Sequence, residues 1–303
     1  AVCAVMPYIA AMIVIPTKPR LFAFGFGTSA EALARRLAGQ GFSLAGTTRD
    51  AKKAEGLRDR GIEAFPFDGT AALAPGALDG ATHVLLSAPP DSAGDPVLRT
   101  CRAALAAARP AWIGYLSTTG VYGNRDGGWV DEGSALKPGS ERARRRVQAE
   151  LDWLRFGDDT GLAVQVFRLA GIYGPGRSVL DDLRAGRARR IDKPGHVFSR
   201  IHVDDIAAVL AASIARPRAG AVYNVCDDEP AEPRAVVEYA AGLLGVAPPP
   251  LMPFDPAALS EMARSFWADS KRVDNSRITR ELGVSLAFPT YRDGLAAILA
   301  AGG

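Results

Sequence analysis

One short segment of the chain carries residues whose types and spacing could bind a phosphate group. It consists of Gly25, Phe26, Gly27, Thr28, Ser29 and Ala30. In a turn of this spacing the first glycine permits a sharp bend, the second lets the backbone approach a pyrophosphate, and a small third residue lets a helix pack closely. A helix that starts here would add free N–H groups and its positive dipole end, with two hydroxyls beside them. The spacing predicts a dinucleotide-binding turn, and a glycine-rich turn without a ligand is the alternative.

The end of the second apolar run indicates which dinucleotide the turn binds. A site for NAD usually holds an Asp or Glu there, which accepts a hydrogen bond from the ribose 2′-hydroxyl. The run at 42–48 ends with Thr48 and is followed by Arg49 instead. A guanidinium can pair bidentately with a 2′-phosphate, so we expect NADP rather than NAD, unless Arg49 only points into solvent. Asp68, after the third run, is placed to accept a bond from the adenine amino group or to cap a turn.

Apolar runs alternate with helical patterns around these residues. The runs are at 21–26, 42–48, 62–67, 82–88, 111–117 and 162–169. The helical patterns lie near 31–39, 50–60, 95–108 and 140–156. This alternation is typical of βαβ units, so it predicts an α/β fold with a Rossmann-type doubly wound parallel sheet and a smaller C-terminal substrate lobe. Ser87, Ala88 and Pro89, after the fourth run, are expected to line the cofactor, with a plain turn as the alternative.

The chain divides into three parts on this basis. Residues 18–175 are expected to form the NAD(P)-binding Rossmann domain. Residues 176–303 mainly form the substrate lobe, interleaved with the last Rossmann elements and closing over the carboxyl edge of the sheet, where ligands bind in such folds. Residues 1–17 carry no charge. We expect an N-terminal extension there, because no basic residues precede the apolar stretch and two prolines interrupt it, unlike a signal peptide or membrane anchor.

Composition narrows the classes of partner. Against 33 acidic residues stand 36 basic ones, and a net charge of +3 does not favour nucleic acid as the partner. The three cysteines are far apart and form no Cys/His cluster, so no metal site is expected. We therefore expect a cytoplasmic protein that binds a small molecule and neither nucleic acid nor membrane. A homodimer is left open.

Four segments resemble the extended branch of the short-chain dehydrogenase/reductase superfamily, the epimerase/dehydratase type. They are LSTTGVYG at 116–123, FRLAGIYGPG at 167–176, RIHVDDIA at 200–207 and VYNVCDD at 222–228. The resemblance implies that Thr118 takes the place of the family's catalytic Ser/Thr; a strand-end hydroxyl bonded within the protein is the alternative. It also implies that Ser117 and Ala170 lie at the cofactor, and that Tyr173 and Arg200 lie at the substrate.

The chain departs from that family at its catalytic Tyr and Lys. The family has them four residues apart at the start of a helix, and the matching positions here hold Arg142 and Arg146. An arginine is not deprotonated near neutral pH, so Arg142 cannot act as a general acid or base. This is similar to the atypical members of the superfamily. Arg142 is expected to hold an anionic substrate and Arg146 to replace the Lys electrostatically, unless both lie on a solvated helix face. Tyr122 and Tyr173 are alternative proton donors, with packing as their other interpretation.

Two functions follow from different classes of protein. The first is an NADP-dependent oxidoreductase, or an epimerase/dehydratase with bound cofactor, that acts on a small sugar-like or anionic substrate. The second is a non-catalytic NADP-binding sensor or regulatory protein, which the missing Tyr and Lys favour. His83 and His202 are expected to be structural.

Overall fold

A seven-stranded parallel sheet forms the centre of the computed structural model, which describes residues 18–258, 264 and 267–302. Its strands are β1 (Arg20–Phe24), β2 (Ser43–Thr48), β3 (Glu63–Pro66), β4 (His83–Leu86), β5 (Trp112–Thr118), β7 (Val164–Leu169) and β11 (Val222–Val225). Their order is β11-β7-β5-β4-β1-β2-β3, and every neighbouring pair is parallel. Each predicted run overlaps one of these strands, so the Rossmann-type α/β class is confirmed. The predicted extension at 1–17 lies outside the described residues.

Helices cover both faces of this sheet, and further helices form part of a smaller lobe. They are α1 (Thr28–Leu37), α2 (Ala51–Asp59), α3 (Pro96–Ala108), α4 (Glu141–Thr160), α5 (Val179–Arg184), α6 (Val203–Ala215), α7 (Pro233–Leu244) and α8 (Tyr291–Ala300). Short side chains fix several helix starts, because Asp50, Asp95 and Ser140 each accept a bond from a backbone N–H of the following first turn. The long helix α4 ends at Gly161, whose φ of 69° is a left-handed conformation that glycine adopts without strain.

The core lies on both faces of the sheet, as the apolar runs predict. Along β1, Leu21 and Ala23 pack into one hydrophobic cluster, whereas Phe22 and Phe24 pack into the other. All four side chains are fully buried. A strand that is covered on both faces has no solvent side, which explains why the sequence shows continuous apolar runs instead of alternation.

The second half of the chain builds a lobe and also returns to the sheet. Its short parallel ladders pair β8 (Gly171–Tyr173) with β10 (Arg200–His202), β9 (Arg190–Asp192) with β12 (Leu251–Pro253), and β6 (Trp129–Val130) with β13 (Arg272–Val273). Strand β11 follows these ladders in part and returns to the edge of the main sheet, beside β7. His202 caps α6 by accepting a bond from Asp204 N–H at 3.2 Å, which is a structural role.

In the part of the chain that the structure describes, no helix is both long enough and apolar enough to cross a bilayer.

Candidate functional site

The glycine-rich turn joins the end of β1 to the start of α1. Gly25 has a φ of 85°, and a Cβ on it would lie 3.2 Å from the backbone nitrogen of Ala88. Glycine is therefore required there by both conformation and space. A Cβ on Gly27 would meet no protein atom within 4 Å, so this position faces open space. The turn leaves room beside its second glycine, which is where a pyrophosphate must approach the backbone.

The start of α1 offers free donors to that space. Gly27 occupies the N-cap position, and no side chain caps the helix. The backbone N–H groups of Thr28, Ser29 and Ala30 form its first turn, where N–H groups have no partner within the helix. Ala30 is fully buried and lets α1 pack against the strands, as predicted for the third small residue. The arrangement fits a dinucleotide phosphate on geometric grounds.

Thr47 holds the turn in shape and was not predicted from the sequence. Its hydroxyl accepts a bond from Gly25 N–H at 2.8 Å, and its carbonyl accepts one from Phe26 N–H at 2.8 Å. These bonds tie the turn to the end of the neighbouring strand β2. A threonine near the end of the second strand is the sequence feature from which this contact could be predicted.

The end of β2 places one unpaired cation near the turn. Arg49 is exposed, and within residues 18–258, 264 and 267–302 no ion pair or hydrogen bond engages its guanidinium. Thr48 uses its hydroxyl locally, accepting a bond from Asp50 N–H at 3.2 Å. Asp68 forms a turn in which Oδ1 accepts bonds from Thr70 N–H and Thr70 O–H, and these bonds lower the pKa of its carboxyl. The turn interpretation of Asp68 therefore holds, and Oδ2 remains free of those bonds.

The loop after β4 forms the wall opposite the turn. The N–H groups of Ser87 and Ala88 both donate to the Phe24 carbonyl, at 2.9 and 3.0 Å. A Cβ on Gly25 would also lie 3.6 Å from Ser87 Cβ. The loop that contains Pro89 therefore borders the glycine turn.

Thr118 stands at the carboxyl end of β5, half-buried. Its Oγ1 accepts a bond from Gly120 N–H at 3.1 Å and so caps a short 3-10 turn at Thr119–Tyr122. Its O–H has no acceptor among the described residues. The hydroxyl is therefore both held in place and able to donate to a ligand.

Ser117, which precedes Thr118, belongs to a buried charged network that is not predicted from the sequence. Glu150 and Arg168 form a bidentate ion pair with N···O distances of 2.8–3.2 Å and are 2% and 5% exposed. The Ser117 hydroxyl donates to the same carboxylate. This commits Ser117 to Glu150, so its placement does not favour the predicted cofactor contact. Position 150 lies one helical turn after Arg146, which is the sequence signal that could have found it.

Tyr122 belongs to this network as well. Its hydroxyl donates to Asn224 at 2.7 Å and accepts from Arg168 at 2.9 Å, and the ring is fully buried. Burial raises the pKa of the phenol, although the nearby guanidinium opposes this. Because this hydroxyl both donates and accepts a hydrogen bond within the protein, we assign Tyr122 a structural role. The structure therefore does not support the predicted role of Tyr122 as a proton donor.

Arg142 and Arg146, the two predicted site residues of α4, have different environments. Arg146 donates from Nη1 to the Leu116 carbonyl at 2.7 Å and to the Tyr115 hydroxyl at 3.0 Å. It thus brings a positive charge to the carboxyl end of β5, two residues before Thr118. Arg142 is exposed and has no partner in the described part of the chain. Its neighbours Arg144 and Arg145 pair with Glu141 instead, on the solvated side of the helix.

The remaining predicted residues lie at the junction of sheet and lobe. Ala170 is buried after β7, and its N–H donates to the Val225 carbonyl at 3.0 Å. Tyr173 packs in the lobe over Gly294, with burial raising the pKa of its phenol. Arg200 donates to the carbonyls of Phe198 and Ala231 at 3.0 and 3.3 Å. Tyr173 and Arg200 are thus mainly engaged inside the lobe, so their placement does not favour the predicted substrate contacts.

Known proteins can now be compared with this geometry. A conserved protein of unknown function from Silicibacter pomeroyi DSS has a solved structure that is 51% identical to this chain, with a TM-score of 0.86. The match covers 94% of this chain and 99% of that one. The chain belongs to the family of this protein. No model of a protein family matches the chain.

Two further matches are more distant in sequence. Protein YeeZ of Escherichia coli (strain K12) is 32% identical over 181 residues, and the match covers 58% of this chain and 58% of YeeZ, less than two thirds of its length. A double mutant of the dTDP-glucose 4,6-dehydratase of Streptomyces venezuelae, solved with NAD bound, is 19% identical with a TM-score of 0.75. That match covers 93% of this chain and 95% of the dehydratase. The fold of the epimerase/dehydratase type of short-chain dehydrogenase/reductase, expected from four sequence segments, is confirmed.

Proposed function

We propose that this chain is an NADP-dependent oxidoreductase of the atypical short-chain dehydrogenase/reductase type, acting on a small anionic or sugar-like substrate. The observation that carries the proposal is the pairing of an open glycine turn with an unpaired, exposed arginine at the end of β2. The uncapped start of α1 would hold the pyrophosphate, and Arg49 would hold the 2′-phosphate. When bound, the nicotinamide supplies or accepts a hydride.

The protein's own groups suggest how a substrate is held beside that cofactor. Thr118 offers a hydroxyl donor whose position is fixed by the bond to Gly120 N–H. Arg142 offers a free cation on the first turn of α4, where it can pair with a carboxylate or phosphate of the substrate. Because Arg142 keeps its charge throughout the working pH range, it binds and orients an anion and does not exchange a proton.

A non-catalytic NADP-binding sensor is the second candidate, and one observation favours it. Arg146 stands in place of the family's lysine, and its Nη1 is already bonded to the Leu116 carbonyl and the Tyr115 hydroxyl. A cation that is engaged in this way stabilises the end of β5 whether or not a reaction takes place. Turnover of a substrate, not cofactor binding, separates the two candidates.

Calorimetric titration of the parent protein and Arg49→Ala with NADPH and NADH tests the cofactor assignment. We expect the parent to bind NADPH more tightly, and Arg49→Ala to lose NADPH affinity by roughly tenfold or more while NADH affinity stays unchanged. Arg36→Ala is the matched control, because Arg36 is an exposed arginine at the far end of α1. Equal losses for both cofactors would show that Arg49 does not recognise the 2′-phosphate, and binding of neither would remove the proposal.

A further inference from the structure

Lys271 is a buried lysine on the lobe side of the site. Only 8% of the residue is exposed. Its Nζ donates to Asp269 Oδ2 at 3.0 Å, and no other acceptor engages it within residues 18–258, 264 and 267–302. An ammonium group has three N–H donors, so two of them remain unused. A buried charge with unused donors is costly, because its desolvation is only partly offset by a single hydrogen-bond partner.

The segment around Lys271 is fixed against the loop that follows β5. Ser270 N–H donates to Asn124 Oδ1 at 2.9 Å, and the Ser270 carbonyl accepts a bond from Arg125 N–H at 2.9 Å. On the other side, Ser270 Oγ accepts a bond from Val197 N–H at 3.1 Å. Lys271 is therefore held between two loops and is not part of a freely moving surface.

The Lys271–Asp269 pair lies beside the start of α4. A Cβ on Gly139 would be 3.5 Å from Asp269 Oδ1, and Gly139 directly precedes Ser140, the N-cap of α4. The first turn of that helix carries Arg142, in place of the tyrosine that exchanges the proton in related enzymes. The residues that lead into α4 also contact the 3-10 turn after β5, because Lys137 N–H donates to the Val121 carbonyl at 3.1 Å. The Asp269 end of the pair thus lies next to the start of the helix turn in which Arg142 replaces the family's tyrosine.

The titratable groups near Lys271 come from three segments. Asp269 is its partner, Arg125 is the nearby cation from the loop after β5, and His196 lies on the loop before β10. Burial lowers the pKa of Lys271, and Arg125 lowers it further, while Asp269 opposes both. Burial also lowers the pKa of His196 to about 4, so that ring is neutral near pH 7 and adds no charge. A lysine with a lowered pKa exchanges protons more readily near neutral pH than an ordinary lysine does.

We propose that Lys271, oriented by Asp269, exchanges the proton with the substrate oxygen in this protein. The inference rests on the proposed oxidoreductase function. In the reductive direction one Nζ–H bond of Lys271 would break and an O–H bond would form on the substrate carbonyl oxygen; the cofactor, when bound, would provide the hydride that the carbonyl carbon accepts. The products are an alcohol and the oxidised cofactor. Lys271 is left as a neutral amine and regains its proton from water.

Trace acetylation with acetic anhydride tests this assignment without a known substrate. The folded parent is labelled from about pH 6 to 11 and each lysine is quantified by peptide mass spectrometry. We expect Lys271 to titrate at lower pH than Lys18, an exposed lysine that precedes β1 at the amino end of the sheet. Asp269→Asn should lower the titration midpoint of Lys271 further and leave that of Lys18 unchanged. A Lys271 that stays unlabelled at every pH, or that titrates together with Lys18 in both proteins, overturns the proposal.

Turnover separates a proton-exchange role from a charge role. With NADPH and 4-nitrobenzaldehyde as the probe, Lys271→Met and Lys271→Arg should both lower kcat by roughly 100-fold or more, and Lys18→Met should not change it. Affinity for NADPH, measured by calorimetry, should stay within about twofold in all variants. Parental kcat and pH profile in Lys271→Arg would overturn the proposal. Failure of the parent to bind NADPH would instead overturn the proposed function. If the parent does not reduce the probe, the acetylation result alone decides whether the proposal for Lys271 stands.

Discussion

Replacing Glu150 by Gln tests how strongly one buried ion pair supports the site. The side chains of Glu150 and Arg168 are 2% and 6% exposed, and three N···O contacts of 2.8–3.2 Å join them. Gln is nearly isosteric but neutral, and it turns an NH2 group toward either the guanidinium or the Ser117 hydroxyl. Removing one partner of a buried pair costs about 3–5 kcal/mol, because the other charge stays buried without compensation. Gln keeps one acceptor oxygen, so we expect a loss of about 3 kcal/mol in the free energy of unfolding.

A second glutamate on the same helix provides the matched control. Glu141 also pairs with two arginines, at 3.0 and 3.1 Å, but 59% of its side chain is exposed. Solvent screens such a pair, so Glu141→Gln should change stability far less than Glu150→Gln. Urea unfolding followed by tryptophan fluorescence and by circular dichroism measures both variants. The slope of the unfolding free energy with urea should stay the same, so that the shift in midpoint reports stability.

Equal midpoints for the two variants would refute this reasoning, because burial is the main difference between the two pairs. A double variant, Glu150→Met with Arg168→Met, provides a further check. When both charges are replaced by apolar groups, no uncompensated charge remains, and much of the lost stability should return. A double variant less stable than Glu150→Gln would show that the network acts through its hydrogen bonds to Ser117 and Tyr122 instead.

Three further outcomes are expected. Gly27→Val should fold normally, since a Cβ there meets no protein atom within 4 Å, yet bind neither NADPH nor NADH in calorimetry; retained binding would contradict the turn assignment. Thr118→Val should bind NADPH like the parent and lower kcat with any substrate by roughly 100-fold, and an unchanged kcat would mean that the hydroxyl serves only as a cap. Burial raises the pKa of Asp227 to about 8 from 3.8, so its proton is held more tightly in the folded state and parental stability should fall as pH rises between those values. Asp227→Asn should remove this loss, by at most about 1.4 kcal/mol per pH unit in thermal or urea unfolding, and a pH-independent difference from the parent would contradict it.

The parts of the site that the sequence predicts are those that depend on local pattern. The glycine turn, the helix behind it and Arg49 after β2 are each specified within a few residues, because a βαβ unit fixes where strand ends and helix starts meet. Thr118 is predicted in another way, from the resemblance of LSTTGVYG at 116–123 to the short-chain dehydrogenase/reductases, and the structure places it at the end of β5.

Other features depend on contacts between distant segments. The Glu150–Arg168 pair joins α4 to β7, and in the sequence Glu150 looks like one more charge on a polar helix. The sequence offers Tyr122 as a proton donor, but the partner of its hydroxyl, Asn224, lies 102 residues away in β11. Lys271 could not be found by pattern at all, because its partner Asp269 lies beside Gly139, which is 130 residues away in the sequence. Long-range packing of this kind leaves no periodic signal.

In related enzymes a tyrosine and a lysine on one helix turn perform two different tasks. In this chain both positions hold arginine, Arg142 and Arg146. The family's lysine supplies a positive charge, and Arg146 can supply the same charge because its guanidinium is fixed on the Leu116 carbonyl, close to Thr118. The family's tyrosine must gain and lose a proton, which Arg142 cannot do at any working pH. A catalyst built on this scaffold must therefore take its proton donor from another segment. We propose Lys271 for this task, because it is a titratable group held by Asp269, and the Asp269 carboxylate lies beside Gly139, which leads into α4.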